Sequence, residues 1–163
     1  MSQTGNQCCT CHGDETTGAE EGLAAWFTRC HRQCDLLWAE VEKAADADDT
    51  SLLIAAVEAF SNATRGHLKA EEEELFPRVE EATGMHGFGP TMMMRQEHVQ
   101  MRGLLDLVEA AAASGDSQEA LDQGDTLLML TQQHNSKEEQ ILYPLSENAL
   151  GGQWATLHAA ITC

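Results

Sequence analysis

The chain has 163 residues, of which 27 are acidic and 9 are basic, so its formal net charge is −18. A surface this negative repels the phosphates of nucleic acids and of anionic membranes, and we expect neither as a partner. No apolar run approaches the roughly 20 residues that a membrane span requires. The first residues also lack the basic and apolar regions of a signal peptide. We therefore expect a cytoplasmic, globular protein with an acidic surface.

Hydrophobic spacing predicts four long helices, in a composition dominated by the helix-favouring residues Ala, Leu, Glu, Gln and Met. The first helix runs from about 20 to 45, and the second starts near 49–51. The third follows a break at 84–90, and the fourth starts near 116–117. Because the connections are short and polar, neighbouring helices should be antiparallel. The expected fold is all-α, an up-down four-helix bundle.

Three parts of the chain follow from this pattern. We expect a flexible, Cys-rich tail over 1–19, the bundle over 20–148, and a C-terminal cap or tail over 149–163, in which 154–161 forms a short helix. The tail contains cysteines and a histidine that are too close together for one tetrahedral zinc site using every member. Two interpretations of this cluster stay open: a reduced, disordered tail, or a thiol or auxiliary metal role. Its members are Cys8, Cys9, Cys11 and His12, with terminal Cys163 as a further candidate.

An internal repeat is the most informative feature of the sequence. Residues 67–77 and 134–144 share the pattern His-x-x-x-Glu-Glu-x-x-Leu-aromatic-Pro, at an offset of 67 residues. The same offset carries His31 onto His98. One helical hairpin therefore occurs twice, each copy with a single His on its first helix and a His/Glu pair on its second.

The repeat places polar side chains on the inward faces of the helices. Residues four apart lie on one face, so His67 lies beside Glu71 and His134 beside Glu138. A buried carboxylate without a compensating charge is very costly, and this bundle would bury two. A pair of metal ions resolves the conflict. Imidazole and carboxylate suit iron or another borderline divalent metal, and two carboxylates from opposite helices can bridge both ions.

These motifs resemble the hemerythrin-like, or HHE cation-binding, domain over about residues 22–148. The resemblance implies a centre of two non-heme iron ions (Fe2+/Fe3+), oxo- or hydroxo-bridged, in the middle of a four-helix bundle. Such domains bind dioxygen, nitric oxide or peroxide at the iron. Carried over position by position, the implied metal ligands are His31, His67, Glu71, His98, His134 and Glu138.

The sequence departs from the oxygen-carrying members of that family. They have a His-x-x-x-His pair on the third helix, whereas here Arg102 stands four residues after His98 and Met94 four before it. Their fourth-helix carboxylate is an Asp, where this chain has Glu138. Open metal positions favour reaction with peroxide over reversible oxygenation. A fifth histidine is not identified, and the candidates to complete the site are His86, His158 and Cys34.

Two classes of function therefore stay open. In the first, the domain binds dioxygen or a related small ligand and serves in oxygen, iron or redox handling or sensing. In the second, it is an enzyme that removes peroxide or nitric oxide, or that repairs damaged iron centres. The sequence assigns no catalytic residue in either case.

Several residues beside the implied ligands have predicted roles of their own. Glu72 and Glu139 follow the ligand carboxylates and point about 100° away from them. We expect these two, and Glu97, to contact the ligands or to form surface salt bridges rather than to bind metal. Tyr143 could form a hydrogen bond near the site or act in redox chemistry, but its repeat partner is Phe76, which favours packing as the role of both. Together with the prolines that follow them, they should close the core below the metals.

Overall fold

The computed structural model describes residues 21–162, and these form an antiparallel four-helix bundle, as the sequence predicts. The helices are α1 Leu23–Asp46, α2 Thr50–Ala70, α3 Phe76–Thr83, α4 Pro90–Ser114, α5 Ser117–Lys137, α6 Tyr143–Leu150 and α7 Trp154–Thr162. A π-helical turn, Glu71–Leu75, joins α2 to α3, and a second, Glu138–Leu142, joins α5 to α6. None of the helices within 21–162 combines the length and apolar character that crossing a bilayer requires.

The helix ends follow local capping signals. At the start of α2, the Asp49 carboxylate accepts hydrogen bonds from two backbone N–H groups of the first turn. Asp116 accepts one in the same way at the start of α5. Helices α3 and α4 end at Gly84 and Gly115, whose φ angles of 74° and 78° are left-handed. Glycine adopts this conformation without a Cβ clash, so the breaks fall where the sequence predicts them.

The two π turns interrupt helices that the sequence predicts as continuous. In the first, the backbone N–H of Phe76 bonds to the carbonyl of Glu71, five residues earlier, and Pro77 follows. Proline has no N–H and its ring clashes with the carbonyl four residues before it, so a wider turn accommodates it. The second turn repeats this arrangement 67 residues later. Each π turn therefore begins at a carboxylate that the resemblance makes a metal ligand.

Two apolar clusters fill the bundle, with a polar layer between them. The first includes Trp26 and Phe27 and lies at the end that α7 covers. Trp154 and Leu157 of α7 are buried in this cluster, so the predicted C-terminal helix is present and packs on the bundle. The second cluster lies at the opposite end of the bundle and includes Trp38 and Phe60. His31 lies between the two clusters along α1.

The Trp38 ring packs directly against the backbone of α5 at Gly124. A Cβ built on Gly124 would lie 1.9 Å from Trp38 Cη2, so no larger residue fits without moving the ring. We expect Gly124→Ala to lower the free energy of unfolding by about 1–3 kcal/mol, through overpacking. Gly103 on α4 is the matched control, since a Cβ there meets open space. Gly103→Ala should stabilise by up to about 1 kcal/mol through helix propensity. Urea unfolding of both variants measures this, and equal stabilisation by both would contradict the packing described.

Candidate metal centre

The polar layer brings together all six residues that the sequence singled out. Each is buried, and their donor atoms form two groups of four. Within a group, all donor atoms lie within 4.8 Å of one another. Both groups share the two carboxylates. The first group is His31, His67, Glu71 and Glu138, and the second group is Glu71, His98, His134 and Glu138.

Three of the four imidazoles form a hydrogen bond between Nδ1 and a carboxylate. An Nδ1–H that donates to a carboxylate fixes the tautomer in which the Nε2 lone pair is available to a metal. The three acids therefore contact the imidazoles rather than the centre, as the sequence predicts. The pairs are His31–Glu139 at 2.8 Å, His98–Glu72 at 2.9 Å and His134–Glu97 at 2.9 Å.

Two of these contacts cross between the hairpins. Glu139 belongs to the second hairpin but bonds to His31 of the first. Glu72 belongs to the first hairpin but bonds to His98 of the second. Each hairpin thus orients an imidazole of the other, and the centre depends on both halves of the chain.

Arg102 stands at one of the two positions, four residues from His98, where the resemblance would place a further histidine, and Met94 stands at the other. The two terminal guanidinium nitrogens of Arg102 donate to the Glu72 carboxylate at 2.9 and 2.8 Å. Burial alone would raise the pKa of Glu72, but hydrogen bonds from His98 and Arg102 outweigh it and lower the pKa to about 2. An anionic Glu72 is therefore fixed against His98. The position four residues after His98 orients a ligand instead of supplying one.

The donors present fit a metal cation. His98 Nε2 and His134 Nε2 lie 3.1 Å apart, while a carboxylate occupies Nδ1 of each ring. If both rings are neutral, their Nε2 lone pairs point at each other. Glu71 and Glu138, both 0% exposed, add two anions to the same space. A cation between these groups removes the repulsion and neutralises the carboxylates, and mixed nitrogen and oxygen donors suit iron among the divalent metals.

The imidazoles differ in their affinity for protons. Burial, together with the neighbouring His31, holds the pKa of His67 well below its usual value. Burial also lowers the pKa of His98. Burial would lower the pKa of His134 too, but its hydrogen bond to Glu138 and the charge of that carboxylate raise it. Metals bind the neutral imidazole, so His67 and His98 are already in the form that ligation needs.

Tyr143 lies inside the centre, and the packing role predicted for it was therefore incomplete. Its side chain is buried, and Oη lies 2.7 Å from Glu71 Oε1, 2.9 Å from Glu138 Oε2 and 2.9 Å from His31 Nε2. Burial and the charges of the two carboxylates raise the pKa of Tyr143 well above its usual value. One signal in the sequence pointed to this residue, the hydroxyl that its repeat partner Phe76 lacks. Phe76 itself is buried in the first apolar cluster, as predicted.

The other candidate ligands do not reach the centre. His86 is exposed in the turn before α4. His158 packs its ring against Trp26 and Trp154, at centroid distances of 5.7 and 5.1 Å. Cys34 packs beside the second apolar cluster. None of the three belongs to a metal-ligating group of the described residues. The remaining candidates lie outside those residues: Cys8, Cys9, Cys11, His12 and Cys163.

A cavity beside the first group opens between α1 and α5. Its volume is about 510 Å³, and its lining includes His31 and Glu139. Arg32, Asp35 and Gln132 add polar groups to the same walls. The cavity therefore gives a small molecule a place beside His31 and Glu139, while His67, Glu71 and Glu138 do not line it.

The family described as Hemerythrin HHE cation binding domain matches residues 23–146. The matched region includes both hairpins and all six buried donors. The chain belongs to this family, which confirms the resemblance drawn from the repeated motif.

The chain is also similar to a DNA nickase from Nostoc sp. (strain PCC 7120 / SAG 25.82 / UTEX 2576). The two are 28% identical over 130 residues, which is 77% of this chain and 35% of the nickase. The chain thus spans about a third of the length of that relative. No solved structure matches the chain.

The carboxylate on His134 provides a test of the imidazole network. Glu97→Gln keeps the size of the side chain but removes the anion at Nδ1 of His134. We expect metal affinity to fall by about 10- to 100-fold, as for other groups that orient a metal ligand. Competition titration of ferrous iron against a chelator measures it. Exposed Glu58→Gln, with the same change of charge, is the control. Equal affinities for the two variants would exclude the orienting role.

Proposed function

We propose that this protein binds two iron ions, one at each group, and that the centre takes up dioxygen, nitric oxide or peroxide. The observation that carries the proposal is the sharing of Glu71 and Glu138 by both groups. Shared carboxylates hold two metal ions side by side, as in other carboxylate-rich helical bundles. When bound, the iron pair supplies redox chemistry and the binding of a small ligand.

The surrounding side chains prepare the centre for such a pair. Three imidazoles are fixed in orientation by a carboxylate that accepts a hydrogen bond from Nδ1. These carboxylates belong to Glu72, Glu97 and Glu139. The two apolar clusters exclude water from above and below the polar layer. The cavity beside His31 and Glu139 gives a small molecule a place next to the centre.

Reaction with peroxide or dioxygen is favoured over reversible oxygen carriage. Each group offers two imidazoles and two shared carboxylates. The two positions four residues from His98 hold Arg102, which binds Glu72, and Met94, so neither adds a further imidazole. Metal positions without a protein ligand then stay open to the small molecule. A net charge of −18 opposes contact with DNA, which disfavours for this chain the DNA nicking named for the Nostoc relative.

Iron quantitation tests the proposal directly. The full chain, reconstituted with ferrous iron without oxygen, should hold about two ions per chain, as expected for a two-metal site. His67→Ala and His134→Ala each remove one imidazole from a different group and should each bind about one ion fewer. His158→Ala is the control, because His158 lies outside both groups. An unchanged iron content in both group variants would overturn the proposal.

Removal of the metal should destabilise the fold, since buried ligands couple metal binding to folding. At a free metal concentration of 100 times the dissociation constant, each ion that binds stabilises the fold by about 2.7 kcal/mol. For a chain of this size we expect the chelated protein to unfold about 5–10 °C below the iron-loaded protein for each ion that is lost. The His67→Ala/His134→Ala double variant should lose most of this difference. Equal melting temperatures for wild-type apo and loaded protein would contradict burial of the ligands in a metal centre.

A further inference from the structure

The two groups are near copies of each other, related by the 67-residue repeat. Ring centroids are 4.7 Å apart for His31 and His67, 4.8 Å for His98 and His134, 5.5 Å for Tyr143 and His31, and 5.6 Å for Phe76 and His98. The ring planes meet at 30° in the Tyr143 pair and at 28° in the Phe76 pair. Tyr143 therefore has the same place at the first group that Phe76 has at the second. The hydroxyl is the chemical difference between them.

That hydroxyl contacts every member of the first group. Oη lies 2.7 to 2.9 Å from Glu71 Oε1, Glu138 Oε2 and His31 Nε2, and 3.5 Å from His67 Nε2. An oxygen this close to all four donors lies in the space that they enclose. A metal ion at the first group needs the same space, because its bonds to such donors are about 2.0–2.2 Å long.

The Tyr143 ring has little freedom to leave when a metal binds. It is 0% exposed, and its centroid lies 5.3 Å from that of Phe27. The following residue, Pro144, fixes the backbone at the end of the π turn. The oxygen therefore stays beside the metal and can bind it.

We propose that Tyr143 Oη is a fifth protein ligand at the first group, so that the two metal positions are chemically different. The inference rests on the proposed two-iron function. On binding, the O–H bond breaks, the proton that Oη shares with Glu71 and Glu138 passes to solvent, and the oxygen lone pair goes to the metal. The second group keeps four protein donors, with the Phe76 ring in the equivalent place.

A second departure from the repeat agrees with this assignment. Glu97, which bonds to His134 Nδ1, maps onto Cys30 at the same offset of 67 residues. His67 Nδ1 correspondingly has no hydrogen-bonded carboxylate among the described residues. Both imidazoles of the second group thus have a carboxylate at Nδ1, whereas among the described residues of the first group His31 has one and His67 has none. A phenolate from Tyr143 supplies the matching negative charge at the first group directly.

The composition allows an unambiguous test, because Tyr143 is the one tyrosine in the sequence. The probe is the full chain loaded with ferrous iron and then oxidised to the ferric state. A tyrosinate bound to ferric iron gives a visible charge-transfer absorption and resonance-enhanced Raman bands of the ring. We expect both in the wild type and complete loss of both in Tyr143→Phe, which keeps the shape of the ring. The affinity for one of the two ions should also fall, by at least about 10-fold.

A reciprocal variant keeps the test independent of general damage to the site. Phe76→Tyr in the Tyr143→Phe background moves the hydroxyl to the second group and should restore the tyrosinate bands. Wild-type protein that holds two ferric ions without these bands would overturn the assignment of Tyr143 and leave the two-iron function standing. Wild-type protein that holds no iron would instead remove the proposed function, and the assignment with it.

Discussion

Two buried carboxylates are the constraint on which the rest of this structure depends. Glu71 and Glu138 are 0% exposed in the middle of a helical bundle, where an uncompensated charge costs several kcal/mol. Four imidazoles and one phenol surround the two carboxylates and offset part of this cost with polar contacts. The π turns contribute as well, because each begins at one of these two carboxylates. The fold therefore accepts a polar layer between two apolar clusters so that a cation can bind there.

The acidic residues of this chain have three different roles. Most are solvated and give the surface its negative character, which disfavours anionic partners. Glu71 and Glu138 point inward, where a bound metal would neutralise them. The third role is to orient the imidazoles. A carboxylate accepts a hydrogen bond from Nδ1 of an imidazole at three positions: Glu72, Glu97 and Glu139. The formal charge of −18 therefore overstates the charge of a metal-loaded protein.

The sequence predicted most of the centre, because it depends on local helical spacing repeated at a constant offset. The four-residue spacing of His67 and Glu71 places both on one face whatever the bundle packing. The role of Tyr143 could not be obtained in this way. In an α-helix, residues five apart lie on different faces, but the N–H of Tyr143 bonds to the carbonyl of Glu138, five residues earlier. This π turn brings the hydroxyl onto the face of the ligands. The sequence could not predict the hydrogen bond between Glu139 and His31 either, because it depends on how the two hairpins pack together.

Two metal ions that share Glu71 and Glu138 must lie close together, so the separation of the ions distinguishes a shared site from separate ones. X-ray absorption spectroscopy at the iron edge, on the fully loaded chain, measures this separation. Two ions that share both carboxylates should give an iron–iron distance of about 4 Å or less. A spectrum with nitrogen and oxygen neighbours but no second iron would rule out the shared site, because it would show that the buried carboxylates bind isolated ions.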